Sequence, residues 1–80
     1  MIYTVYILQS QIDNSFYIGY TSNLQRRVLE HNEGKSHYTA RKRPWSLFYT
    51  EEFNSKTAAL IRERFLKNQK NRDFYFSLRP

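Results

Sequence analysis

The chain contains no cysteine. That removes disulfides, thiolate metal sites and a cysteine nucleophile together, and it is compatible with a reducing cytoplasmic setting. No run of 18 apolar residues occurs, so no transmembrane helix is expected. The opening MIYTVYILQS carries no basic leader and no small-residue cleavage site, so a signal peptide is not expected. HExxH, Walker A and GxGxxG patterns are missing, as is zinc-ligand spacing. Nothing places a serine with a histidine and an aspartate as a triad. There are no repeats and no low-complexity segments. Acidic residues are few, seven against thirteen Lys and Arg, and the net charge is +6. A basic balance of this size suits a polyanionic partner, nucleic acid first.

The 80 residues suffice for one domain, taken as 1–80, with one modest core. Stability at this size is on the order of 3–5 kcal/mol. Seven Tyr, six Phe and one Trp are available to fill the core, each aromatic burying roughly 150–250 Å².

Residues 2–9 (IYTVYILQ) are β-branched and aromatic, which predicts a strand. Both alternating sets are apolar, so the strand belongs in the middle of a sheet. Asp13 and Asn14 suit a turn, and 16–21 (FYIGYT) forms a second strand in a hairpin with the first. Gly19 interrupts bulky neighbours, which marks a bulge or a close approach of another group. Ser22 is placed to cap a helix, with Gln25 at the capping-box position and Gly34 as its stop. Leu24, Val28 and Leu29 supply that helix's apolar side. Residues 35–44 form a basic loop without periodicity. Residues 45–53 read as a third strand, and a helix capped by Asn54 or Ser55 runs to about Asn68. A short last helix over 71–79 turns Phe74 and Leu78 inward, with Tyr75 a further candidate. The order ββαβαα predicts an α+β fold, helices packed on a three-stranded antiparallel sheet.

Several polar residues have two readings. Arg27 and His31 lie one helical turn apart beside the Leu24–Val28 stripe, so they belong at the helix–sheet rim. They are either amphipathic rim residues or parts of a site; Arg26 points to solvent. In the second long helix Ala58, Ile61 and Phe65 form one apolar stripe, with Ala59 and Leu66 beside it. Arg62 falls between the stripes and Glu63 just outside. Glu63 is either half of a rim Arg–Glu pair or an oxygen ligand for a hard cation. Tyr6 and Tyr17 are packing residues or phenols acting as acid, base or phosphate donor. Their shared face depends on a register that sequence does not fix. Lys35, His37, Arg41, Lys42 and Arg43, with Tyr38 and Trp45 nearby, suit phosphate contact with base stacking.

Taken together these residues resemble the GIY-YIG endonuclease superfamily. Tyr17-Ile18-Gly19 preserves the second half of the name motif. Thr4-Val5-Tyr6 keeps only the tyrosine of the first half. The interval from Tyr6 to Tyr17, the run YIGYTSNLQRRVLEH and the segment AALIRERFLK also fit. The resemblance covers nearly the whole chain. It is strongest to small standalone bacterial members, which are similar to the N-terminal nuclease domain of the excision-repair nuclease. It implies a divalent-metal-dependent DNA endonuclease, with a place in DNA repair or recombination. Glu63 would hold one Mg²⁺ or Mn²⁺, and Arg27 would neutralise phosphoryl charge. Tyr6, or alternatively Tyr17, would act on the attacking water with His31 assisting, and Gly19 would be the motif glycine. The substrate would be duplex or branched DNA, with a protein partner as one source of specificity. The lost Gly-Ile leaves a non-catalytic nucleic-acid-binding module as the competing reading.

Overall fold

The computed structural model describes residues 1–79. Its elements are β1 (Tyr3–Ser10), β2 (Phe16–Thr21), α1 (Leu24–Asn32), a 3₁₀ turn (Ala40–Lys42), β3 (Trp45–Phe53), α2 (Lys56–Lys67) and α3 (Asp73–Ser77). The fold is α+β, with the antiparallel sheet ordered β2-β1-β3. The strand that is apolar on both faces is therefore the central one. No helix among the described residues is long and apolar enough to cross a membrane.

Alternation along β1 divides the core into two layers. Val5 and Ile7 point one way, joining Ile18 and Phe48 under Ala59 and Leu66 of α2 and Tyr75 of α3. Tyr6 and Leu8 point the other way, joining Trp45, Tyr17 and the α1 residues Leu24 and Val28. A bulge opposite Ile7 and Leu8, where Leu47 and Tyr49 pair with them and Phe48 is extra, brings Phe48 and Tyr49 to the α2 layer. The hairpin turn holds Asn14 at φ 62°, a left-handed conformation that asparagine tolerates.

Three local expectations are corrected. Asn23, not Ser22, caps α1: its side chain accepts from Arg26 N at 3.2 Å, while Thr21 Oγ1 accepts from Asn23 N at 3.0 Å. The threonine hydroxyl turns the chain once more before the helix starts, so Gln25 forms no capping box with Ser22. On α2 the buried side is Ala59 and Leu66, while Ile61 and Phe65 are exposed. The small Ala59 lets the helix sit close to the sheet, and α3 closes over Leu66, whose carbonyl accepts from the Tyr75 hydroxyl at 2.8 Å. Tyr75 is accordingly the buried residue of α3, with Phe74 and Leu78 packed around the core edge. Leu29 is exposed as well.

Candidate active site

The register answers the question about the tyrosines. Tyr6 pairs with Gly19, and Leu8 pairs with Tyr17. Tyr17 and Gly19 are two residues apart, so Tyr6 and Tyr17 share the α1 face, with ring centroids 6.4 Å apart. The Tyr6 ring lies across Gly19, where a Cβ would meet the Tyr6 hydroxyl at 2.6 Å. Gly19 is required here for space.

His31 is not at the rim. It is fully buried, because residues 35–45 fold back over it. Its Nε2 lies 3.0 Å from the Tyr6 hydroxyl, and its Nδ1 lies 2.7 Å from Thr39 Oγ1. Thr39 is itself buried, and its carbonyl accepts from Trp45 Nε1 at 3.0 Å. Asn32 fastens the end of this loop by exchanging two bonds with the Trp45 backbone, at 2.6 and 3.1 Å. His31 therefore bridges the Tyr6 and Thr39 hydroxyls through its two ring nitrogens, and Thr39 Oγ1 also reaches the Ser36 carbonyl at 3.5 Å.

Arg27 is one-third exposed and donates to Glu30 at 3.1 Å. Its positive charge favours the Tyr6 phenolate. Burial nevertheless dominates at Tyr6, and with the Tyr17 hydroxyl adding to it the pKa is pushed up to about 12; Glu63 adds a smaller push in the same direction. Burial also pushes the His31 imidazole down, reinforced by Arg27 and opposed by Glu30. Arg26 is exposed and pairs with Glu30 at 3.2 Å.

Glu63 enters from α2, on the other layer. Its side chain is 15% exposed, with Lys67 Nζ at 3.7 Å. The rim partner expected from sequence is wrong: Arg62 instead binds Glu51 through two 2.9 Å bonds. Adjacent helical residues do not face each other, so Arg62 turns to β3 while Glu63 keeps Lys67 beside it. Among the described residues no group of three or more His, Asp or Glu side chains converges. The structure therefore brings Tyr6, Tyr17, Gly19, Arg27 and His31 together, with the Glu63 charge felt at Tyr6.

Residues 2–76 match the family model described as the GIY-YIG catalytic domain. The chain belongs to the GIY-YIG family. Among GIY-YIG relatives, a UPF0213 protein of Natronomonas pharaonis is 46% identical over 65 residues, covering 80% of this chain and 75% of that protein. A UPF0213 protein of Staphylococcus haemolyticus is 47% identical over 64 residues, covering 79% of this chain and 77% of that one. The solution NMR structure of a UPF0213 protein from Bacillus halodurans is 36% identical, covers 99% of this chain and 86% of its own, and superposes with a TM-score of 0.63.

The degenerate first half of the GIY-YIG motif has a physical explanation. Among the described residues only Asn14 and Gly34 have positive φ. Thr4 and Val5 occupy ordinary strand positions, paired with Thr21 and Tyr20. Neither position requires glycine, and Val5 contributes a buried side chain to the α2 layer.

Lys35, His37, Arg41, Lys42 and Arg43 are exposed. Lys35 pairs with Glu33 at 3.4 Å and Lys42 with Asp13 at 3.1 Å, while Arg43 lies against Gly34. Sequence reasoning gave no role to Thr39, Glu30 or Asn32. Glu30 was findable, since it is three and four residues after Arg27 and Arg26. Thr39 and Asn32 act through non-local bonds that leave no periodic signal.

Buried neutral His31 makes stability depend on pH. Its folded pKa lies below the ordinary 6.5, so below that pH the unfolded chain binds a proton that the folded chain refuses. Stability is expected to fall as pH drops through about 6.5. Thermal midpoints measured between pH 7 and pH 5 should decline, and His31→Asn should flatten the slope. An unchanged slope in that variant would mean another group is responsible.

Proposed function

We propose that this protein is a divalent-metal-dependent endonuclease that hydrolyses DNA phosphodiester bonds. The carrying observation is one buried phenol, Tyr6, hydrogen-bonded to a buried histidine, with the charges of a partly exposed arginine and of the Glu63 carboxylate acting on it. Glu63 fits one hard cation: it is a shielded oxygen donor outside any group of three or more such ligands among the described residues, and Mg²⁺ commonly takes one or two carboxylates and keeps several waters. When bound, Mg²⁺ or Mn²⁺ would supply Lewis-acid stabilisation of phosphoryl charge and of the leaving oxygen.

The chain's own groups do the rest. Arg27, one-third exposed at the mouth, neutralises charge developing on the phosphoryl oxygens. Tyr6 takes the proton of the attacking water. The Arg27 charge favours the phenolate this step needs, against the burial that raises the Tyr6 pKa. His31 anchors the Tyr6 oxygen and is itself fixed by Thr39, and Tyr17 positions the water or the phosphate. The exposed basic loop neutralises flanking phosphates.

The test is a cleavage screen over duplex, branched and single-stranded DNA, with and without Mg²⁺ or Mn²⁺. Arg27→Ala is expected to lower the rate by about 10²–10³-fold with binding largely kept. With a phenol of high pKa as base, the rate should climb roughly tenfold per pH unit between pH 7 and 9. DNA affinity should fall linearly on a log–log salt plot, with slope about −0.9 per neutralised phosphate. Binding without metal-dependent cutting of any of these DNAs would favour the non-catalytic module.

A further inference from the structure

A groove beside the tyrosine cluster shares Tyr17 with it, and its other lining residues have no part in the chemistry above. Its volume is about 620 Å³, within the roughly 300–1,000 Å³ usual for ligand clefts. It runs along β2, an edge strand whose outer side pairs with no other strand among the described residues. Phe16 and Tyr75 form its floor, Tyr17 and Tyr38 one wall, and Lys67 and Arg72 line it with positive charge. Among the described residues no acidic side chain lines it.

Three observations describe what would fit. Tyr38 is 82% exposed, yet its ring centroid lies 6.0 Å from that of Tyr17. A large aromatic in that position presents a stacking face to whatever enters. Arg72 lies with its guanidinium 4.9 Å over the Phe16 ring and spends one donor on the Asn14 carbonyl, which leaves further N–H donors for an anion. Finally, both ends of the groove touch the candidate active site. Tyr17 sits 4.9 Å from the His31 ring, and Lys67 reaches Glu63 at 3.7 Å.

We infer that this groove is a subsite for an unpaired nucleotide of the DNA strand being cut. Its base stacks on Tyr38 and Tyr17, and its phosphate sits between Lys67 and Arg72. That the strand is cut rests on the nuclease reading, while the binding site stands on its own geometry. A duplex keeps its bases in the stack and cannot offer one to the groove. Aromatic walls with flanking cations are the recurring means of holding single strands. A peptide strand adding to the β2 edge would use the same groove, but it would have no need of the two cations, Arg72 and Lys67, that line it. The subsite therefore selects DNA with unpaired nucleotides next to the scissile phosphate.

The experiment uses the whole chain in EDTA, so that no turnover occurs. A hexathymidine strand and a blunt duplex are titrated separately by NMR and by fluorescence anisotropy. Hexathymidine should shift the resonances of Phe16, Tyr38 and Arg72. Tyr38→Ala should weaken it on the order of tenfold, while duplex binding changes less than about twofold and Tyr38→Phe restores the wild-type affinity. Because Tyr38 is exposed, the alanine variant should keep its fold, which the same spectra report. Three results would overturn the inference: no hexathymidine binding, shifts confined to residues 35–43, or equal loss for strand and duplex. If the protein cuts no DNA yet hexathymidine maps to the groove, the nuclease reading falls and the subsite remains. If it cuts duplex with the groove unperturbed, the reverse holds.

Discussion

Glu63→Gln should reduce metal-dependent cleavage on the order of 10³-fold or more, because it removes the carboxylate placed to hold the ion and with it the charge stabilisation the ion provides. The fold should be indifferent to the change. The ionic partner of the side chain is Lys67 at 3.7 Å, and Lys67 is half exposed; such pairs contribute about 0–1 kcal/mol. Glutamine keeps the shape and loses only the charge. Removing that charge also takes away a small upward push on the Tyr6 phenol, so a general-base effect alone would make the variant slightly better, not worse. The sign of the change thus separates the two roles for Glu63. Thermal unfolding, DNA affinity in EDTA and initial rates over a Mn²⁺ series should be measured together. Unchanged stability and affinity with lost cutting is the expected pattern. Retained cutting would sink the metal-ligand assignment. Lost affinity in EDTA would mean that Glu63 shapes the DNA surface instead.

Local signals carried the elements and distant contacts carried the site. Alternation and β-branched content placed all three strands, and the two-faced apolarity of residues 2–9 placed the first at the centre, where β1 lies. Helical spacing set Arg27 and His31 beside the Leu24–Val28 stripe. It could not say that His31 goes to full burial, because the cover is supplied by Thr39 and Trp45, which are distant in the chain and follow no period. The same limit applies to α2. Two adjacent stripes were equally apolar, and only packing against the sheet and α3 selects Ala59 and Leu66 over Ile61 and Phe65. A strand period of two cannot fix register, so the pairing of Tyr6 with Gly19 was open until the backbone was known. What did survive from sequence was the warning attached to Gly19, a small residue where something comes close.

That close approach predicts the second large effect. A Cβ at position 19 would stand 2.6 Å from the Tyr6 hydroxyl, 2.8 Å from Cζ and 3.3 Å from Cε1. A flexible side chain would step aside, but Tyr6 is only 1% exposed and its hydroxyl is held by His31 at 3.0 Å. His31 is in turn fixed by Thr39 at 2.7 Å, so a displaced phenol must either break that chain of bonds or push the buried histidine and the loop above it. Overpacking of this kind costs about 1–3 kcal/mol, a large fraction of the total for so small a core. A shift near 1 Å at a reacting group costs on the order of 10²-fold in rate. Gly19→Ala should therefore lower both urea stability and cleavage, whereas Gly34→Ala, strained at φ 79° and set against Arg43 rather than Tyr6, should lower stability and leave more of the cleavage. Pairing Gly19→Ala with Tyr6→Phe distinguishes the cause. Deleting the hydroxyl removes the nearest clash, so the double variant should lose less stability than the two single changes added together. Simple additivity, or a fully active Gly19→Ala protein, would show that the glycine is not kept small for the Tyr6 ring.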